Sequence, residues 1–228
     1  GSSRSPRRIL ATPRLGGDEP IDPDVAAAFE AALGAIEADL GLPVERIAGS
    51  TVFPAGYRSR DWFEIAGVEQ AHRLGRERIE RDADRLDPTF RRWMEAALGV
   101  SIADHLAARR RRFVHVRELD TLLGDETLLV CPTVTVPGWT PDGRLPGAER
   151  PGLPSAVFNT EVVNLTGHPA LSLPAGRLPN GLPFGLQAVG PRYREALLFG
   201  FAEAWERARP WPLVADGYAV FGAELGRV

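Results

Sequence analysis

The chain has 228 residues, 44% of them hydrophobic, a net charge of −3 and a single cysteine. That size can bury a sizeable core in one large or two small domains, and the nearly balanced charge provides no global basic field for nucleic acid or an anionic membrane. All 27 basic residues are arginine, which excludes any mechanism taking a lysine base, Schiff base or P-loop lysine from this chain.

Cys131 has no partner for an intrachain disulfide and fits a reducing, cytoplasmic setting. No apolar run approaches the ~20 residues that span a bilayer. The N-terminal arginines precede no apolar h-region, so no secretory signal is expected. Residues 1–5 read as a tag remnant or linker, and residues 6–228 as one continuous region.

In chain order, Ile9 to Ala11 is a short apolar run followed by a Gly/Pro-rich loop. Asp22 and Pro23 read as an N-cap and first helical position. Val25, Phe29, Leu33, Ile36 and Leu40 then recur at helical spacing until Gly41. Val44 to Ile47 is a candidate strand, which makes a β–α–β unit. Trp62, Ile65, Ala66, Glu69 and Arg73 keep helical spacing in a proline-free stretch from Arg60 to about Asp82.

Asp87 and Pro88 repeat the cap-and-proline start for a helix that carries Phe90, Trp93, Met94 and Leu98 and stops at Gly99. Ser101 to Asp104 is a capping-box variant opening a helix to about Leu123, with an expected buried stripe of Leu106, Phe113, Leu119 and Leu122. Thr127 to Pro132 reads as a buried strand ended by proline. Residues 137–154, rich in Pro and Gly, read as a surface loop. Ala170 to Leu173 and Phe184 to Val189 are strand-length apolar runs, and the turn dipeptide Asn180-Gly181 lies between them. A last amphipathic helix runs from about Arg194 to Arg207, with an irregular tail beyond Pro212. This alternation of helices and short strands argues for an α/β fold.

Chemistry is hard to find in these residues. His72, His105, His115 and His168 form no HxxH or HExxH pair, so surface or core histidines are favoured over a metal site. There is no GxSxG elbow, no GxGxxG and no Walker loop, hence no implied cofactor. Arg109 to Arg112 are consecutive helical residues that spread around the axis; they read as a solvated face with one or two inward ion pairs. Glu69, Asp104 and Asp120 are candidate acids that spacing alone cannot pair. Cys131 lies in an apolar run and reads as an inert core thiol.

The run from Asn164 to Gly176 (NLTGHPALSLPAG), continued from Gly181 to Pro191 (GLPFGLQAVGP), closely resembles the C-terminal region of amidase signature hydrolases. Other segments resemble that family in the same order: residues 6–41, Glu69 to His72, the long helix from Ser101, and the run DETLLVCPT from Asp125 to Thr133. The resemblance implies the amidase-signature fold, a mixed β-sheet covered by helices. It also implies hydrolysis of a carboxylic amide or related C–N bond by a serine–cis-serine–lysine triad.

The triad and its Gly/Ser-rich oxyanion loop belong to the family's N-terminal half. This chain has neither that loop nor a lysine, so no catalytic residue is carried over, and the isolated chain is expected to be inactive. As a C-terminal portion it is expected to supply sheet, covering helices and part of the pocket for a small-molecule amide. Asn159, Thr160 and Asn164 match the stretch just before the family's N-L-x-G element and are candidate substrate-binding residues, although a backbone bond at the turn suits Asn164 slightly better.

Arg91 or Arg92 falls roughly where glutamine-dependent transamidase subunits place a substrate-binding arginine; Arg91 is carried as a candidate. Those subunits have an acidic residue where this chain has Val157, which argues against glutamine or asparagine as substrate. Val157, Phe158 and Trp139 hint at a more apolar or aromatic amide. Half a sheet is expected to leave an exposed edge and an apolar face, hence self-association or a partner chain carrying the catalytic half. The alternative is a stand-alone non-catalytic pseudoenzyme or binding subunit with an amidase-like fold.

Overall fold

The structure, a computed structural model, describes residues 5–140 and 157–212. Strand β1 (Arg8–Ala11) leads through a loop to α1 (Pro23–Leu40). The Asp22 carboxylate accepts from the Asp24 and Val25 N–H groups, and Gly41, at a φ of 64°, donates its backbone N–H to the Ile36 carbonyl, so both ends satisfy backbone groups the helix leaves free. The chain returns as β2 (Val44–Arg46), parallel to β1.

The uninterrupted helix expected over residues 60–82 is broken into pieces. They are α2 (Ser59–Trp62), a π-helical turn (Phe63–Gly67), α3 (Val68–Leu74) and α4 (Arg76–Arg81). The break between α3 and α4 is Gly75, at φ 83° and ψ 140°, a conformation that the absence of a Cβ makes accessible. A stretch free of proline is therefore not enough to keep one helix running.

Next come α5 (Pro88–Leu98), capped by Asp87, and α6 (Ile102–Leu123), capped by Ser101. The Ser101 hydroxyl accepts from the Asp104 N–H at 3.1 Å and donates to the Asp104 carboxylate at 2.7 Å. The buried face of α6 is Ala108, His115, Val116, Leu119 and Leu123. Two members of the expected stripe are misplaced: Leu106 is 47% and Phe113 61% exposed. At 100° per residue they point roughly 120° away from the buried face, which hydropathy does not reveal because that face contains a histidine.

Strand β3 (Thr127–Pro132) is buried at all six positions. Helix α7 (Phe158–Thr166), not anticipated from the sequence, precedes the expected antiparallel pair β4 (Ala170–Arg177) and β5 (Pro183–Val189). Of the turn dipeptide only Gly181 adopts a positive φ, 84°; the Asn180 side chain accepts from the Leu182 N–H at 3.0 Å. Helix α8 (Glu195–Ala208) follows. Most of the expected loop at 137–154, and the tail beyond residue 212, lie outside the described residues.

The five strands form one mixed sheet in the order β2-β1-β3-β5-β4, with β1 parallel to both β2 and β3 and the β3/β5 and β5/β4 pairs antiparallel. Because side chains alternate across a strand, the sheet has two cores. Ile9, Ala11, Leu128, Val130, Leu186 and Ala188 pack against α1 and α8. On the other face Leu10, Leu129, Cys131 and Val189 pack under residues of α6 and α7 and under Phe53. A satellite cluster of Ala71, Ile79, Met94 and Ala97 joins α3, α4 and α5. Among the described residues the sheet ends on β2 and β4.

Candidate functional site

Ligands of open α/β sheets bind outside the carboxyl ends of the parallel strands. Here those are the ends of β1 and β3, where the chain enters Thr12 to Gly17 on one side and Thr133 on the other. The two loops are joined by Asn159, in the first turn of α7. Its side-chain oxygen accepts from the Leu15 N–H at 2.9 Å, and its amide donates to the Pro13 carbonyl at 3.1 Å and the Pro132 carbonyl at 2.8 Å. Asn159 is wholly buried, and its own carbonyl accepts from the Gln187 amide at 3.3 Å.

Beside this clamp sits a buried polar group set. The Arg14 guanidinium lies over the Phe158 ring, 4.2 Å from its centroid, and its Nε is 3.1 Å from a Glu19 carboxylate oxygen. The Tyr57 hydroxyl donates to Glu161 at 3.1 Å. Burial pushes the Glu161 carboxyl up to about 7, opposed by the Tyr57 hydrogen bond and the Arg14 charge. Burial also raises the Tyr57 phenol and pulls the Arg14 guanidinium below its ordinary value. The loop needs its glycines here: a Cβ on Gly49 would collide with the Arg14 and Gly17 carbonyl oxygens.

A second polar cluster lies under α6. Arg111 grips the fully buried Asp61 through Nε and Nη2 at 2.6–3.0 Å, and Glu64 stands 3.4 Å from the same guanidinium. His115 packs edge-on against Phe53, 5.2 Å between centroids, with its Nε2 3.8 Å from Asp61. The arginine run thus resolves residue by residue. Arg111 and Arg112 turn inward, Arg112 donating to the Leu165 carbonyl at 2.6 Å near the carboxyl end of α7, while Arg109 is half exposed and 3.8 Å from Glu69.

The sequence candidates are scattered. Asn159 and Thr160 stand together at the start of α7, with the Thr160 hydroxyl donating to the Val157 carbonyl at 2.8 Å. Asn164 is exposed in the last turn of α7, before the left-handed cap Gly167, rather than in a loop turn. Arg91 is on α5 and pairs with Glu95 one turn on at 2.7 Å; α5 packs on α3, α4 and the π-helical turn. Phe158, one of the residues that hint at an apolar or aromatic amide, is buried beneath Arg14.

The candidate acids are not brought together. The Asp104 carboxylate accepts from the capping Ser101 hydroxyl, Glu69 faces Arg109, and Asp120 binds Arg192 and His168. Burial pushes the Cys131 thiol up to about 12, leaving it protonated and unreactive at neutral pH. Among the described residues no group of three His, Cys, Asp or Glu side chains could hold a metal ion. No helix of the described residues is long and apolar enough to cross a membrane. Sequence reasoning misses Arg14, Tyr57 and Glu161, since nothing in their spacing, 104 residues between the last two, foretells contact.

A mixed sheet with this order, covered by helices on both faces and clamped at the ends of its parallel strands, defines an amidase-like fold. The amidase family model matches residues 10–199, and the chain belongs to that family, the amidase signature enzymes. A 2-amino-5-chloromuconic acid deaminase of Comamonas testosteroni is 32% identical over 210 residues, covering 89% of this chain and 42% of the relative. One subunit of the glutamyl-tRNA(Gln) amidotransferase of a Picosynechococcus species is 27% identical over 220 residues, covering 85% and 43%.

Among solved structures, a bacterial aryl acylamidase of the amidase signature family superposes with a TM-score of 0.72 at 23% identity, covering 91% of this chain and 44% of that one. A 6-aminohexanoate cyclic dimer hydrolase bound to its substrate gives 0.66 at 27% identity, covering 91% and 46%. The chain therefore spans less than half the length of the relatives it matches.

Proposed function

We propose that the chain is the C-terminal portion of an amidase that hydrolyses carboxylic amide C–N bonds, with the nucleophilic serine, the bridging serine and the lysine lying outside it. The observation that carries this reading is the family match over residues 10–199 in a chain whose 27 basic residues are all arginine. A serine nucleophile needs a base within hydrogen-bond reach, and the family's base has no counterpart here. The chain's part is then to build sheet, covering helices and one wall of the pocket.

In this reading Asn159 holds that wall by joining the loops after β1 and β3, and Thr160, half-exposed beside it, stands nearest to substrate. Asn164 and Arg91 have surface roles. A segment or partner chain carrying the catalytic half completes the enzyme, as fits a relative named as one subunit of an amidotransferase. The full reading frame is expected to contain a lysine-bearing, Gly/Ser-rich segment upstream.

A fluorophosphonate probe tests the assignment. The 228-residue chain should neither label nor hydrolyse a simple anilide, and supplying the upstream segment should bring both activities. Specific labelling of one serine within the chain would refute the proposal.

A further inference from the structure

Arg14 occupies an unusual electrostatic position. Only 7% of the residue is exposed, yet among the described residues its Nε and Nη1 have no hydrogen-bond partner. A buried guanidinium with unmatched donors is costly and uncommon. Its flat face is held by the Phe158 ring, which leaves the donor-bearing edge to meet a ligand.

Two carboxylates offset the charge, and they differ in availability. Glu161 is 8% exposed and receives the Tyr57 hydroxyl, so it is tied into the core. Glu19 lies on the loop after β1 with its side chain 61% exposed, and one oxygen is 3.1 Å from Arg14 Nε without aligned hydrogen-bond geometry. No aligned hydrogen bond fastens this exposed side chain to the guanidinium, so another carboxylate can displace it. Gly17 keeps that approach clear: a Cβ there would strike the Glu19 carboxylate and stand 3.1 Å from Arg14 Nε.

We propose that Arg14 is a carboxylate-binding residue, which takes the carboxylate of a small-molecule ligand in the position the Glu19 side chain now fills. The guanidinium fork suits a planar carboxylate in a way that a point charge does not. The site lies at the carboxyl ends of β1 and β3, where Asn159 fixes the loop bearing Arg14 through the Pro13 carbonyl and the Leu15 N–H. Resting on the amidase reading, the consequence is a substrate class: an amide that also carries a carboxylate group.

The test titrates the 228-residue chain with benzoate, and with uncharged benzamide, while following by NMR the Arg14 Nε–H resonance and the Leu15 and Gly17 backbone amides, which every variant retains. Benzoate should shift them saturably and benzamide should not. Glu19→Gln removes the internal competitor and should tighten benzoate binding about threefold to tenfold, whereas Arg14→Gln should weaken it at least about tenfold. Glu30→Gln, which removes a surface carboxylate of α1 paired with Arg46, should change nothing.

An Arg14 resonance indifferent to benzoate, or an unchanged affinity in Glu19→Gln, overturns the proposal. Position 19 is exposed, so that variant should fold even if Arg14→Gln does not. No reaction is read in this titration. Its failure therefore leaves the amidase assignment standing, and fluorophosphonate labelling of the chain would remove that assignment without touching the binding result.

Discussion

The side-chain oxygen of Asn159 accepts a hydrogen bond from the Leu15 backbone N–H at 2.9 Å, linking residues 144 apart in the chain. With the bonds to the Pro13 and Pro132 carbonyls, one buried amide satisfies three backbone groups at the ends of two parallel strands. Removing it leaves all three without that partner in a buried site. Asn159→Ala should lower the unfolding free energy by about 3–5 kcal/mol, read as a lower urea midpoint at an unchanged m-value. A loss below ~1 kcal/mol would mean that the loops close without this clamp.

Asp61 is fully buried and held by Arg111 through three contacts of 2.6–3.0 Å. Truncating the arginine strands the buried carboxylate, so Arg111→Met should cost about 3–5 kcal/mol. The double variant Asp61→Leu with Arg111→Met leaves no such charge and should be less damaged than Arg111→Met alone. Additive losses in the double-mutant cycle would contradict the coupling.

Glu161 makes stability depend on pH. Burial pushes its carboxyl up to about 7 from an ordinary 4.5, so the folded chain keeps a proton that the unfolded chain releases. Stability from the neutral carboxyl is complete below 4.5, declines as pH rises, and is gone above about 7. Glu161→Gln retains an oxygen to accept from Tyr57. It should match the parent near pH ~4 and exceed it at pH ~8 by about 1–2 kcal/mol. Equal stability at both pH values would mean that Arg14 keeps the carboxylate ionised.

Phe113 and Leu119 test the orientation of α6. Phe113 is 61% exposed and Leu119 wholly buried. Phe113→Gln should change stability by less than about 0.5 kcal/mol, whereas Leu119→Ala should cost about 2–5 kcal/mol. Thermal unfolding of the two variants at one pH distinguishes them, and the reverse ranking would require a different rotation of the helix.

Much of the fold is legible in the sequence because its signals are local. Asp22-Pro23, Asp87-Pro88 and Ser101 mark helix starts, and those helices begin where these residues place them. The six buried residues of β3 read directly as a central strand, and Asn180-Gly181 places the β4–β5 turn. The run from Asn164 to Pro191 is enough to identify the family. Absence of lysine, also a property of sequence alone, excludes a lysine base.

Other features required the tertiary structure. Gly75 breaks a helix only because it adopts a conformation that composition does not dictate. The rotation of α6 depends on Asp61 and Glu64, some 50 residues earlier, which draw Arg111 inward and so set which residues are buried. The site at the strand ends assembles Arg14 and Asn159 from distant parts of the chain, with Tyr57 and Glu161 beside them. Burial, which moves the Glu161 carboxyl to about 7, exists only once those parts meet. Caps, turns and strand lengths depend on neighbours within a few residues, so the sequence determined them; contacts across the sheet depend on chain closure, and only the tertiary structure decided those.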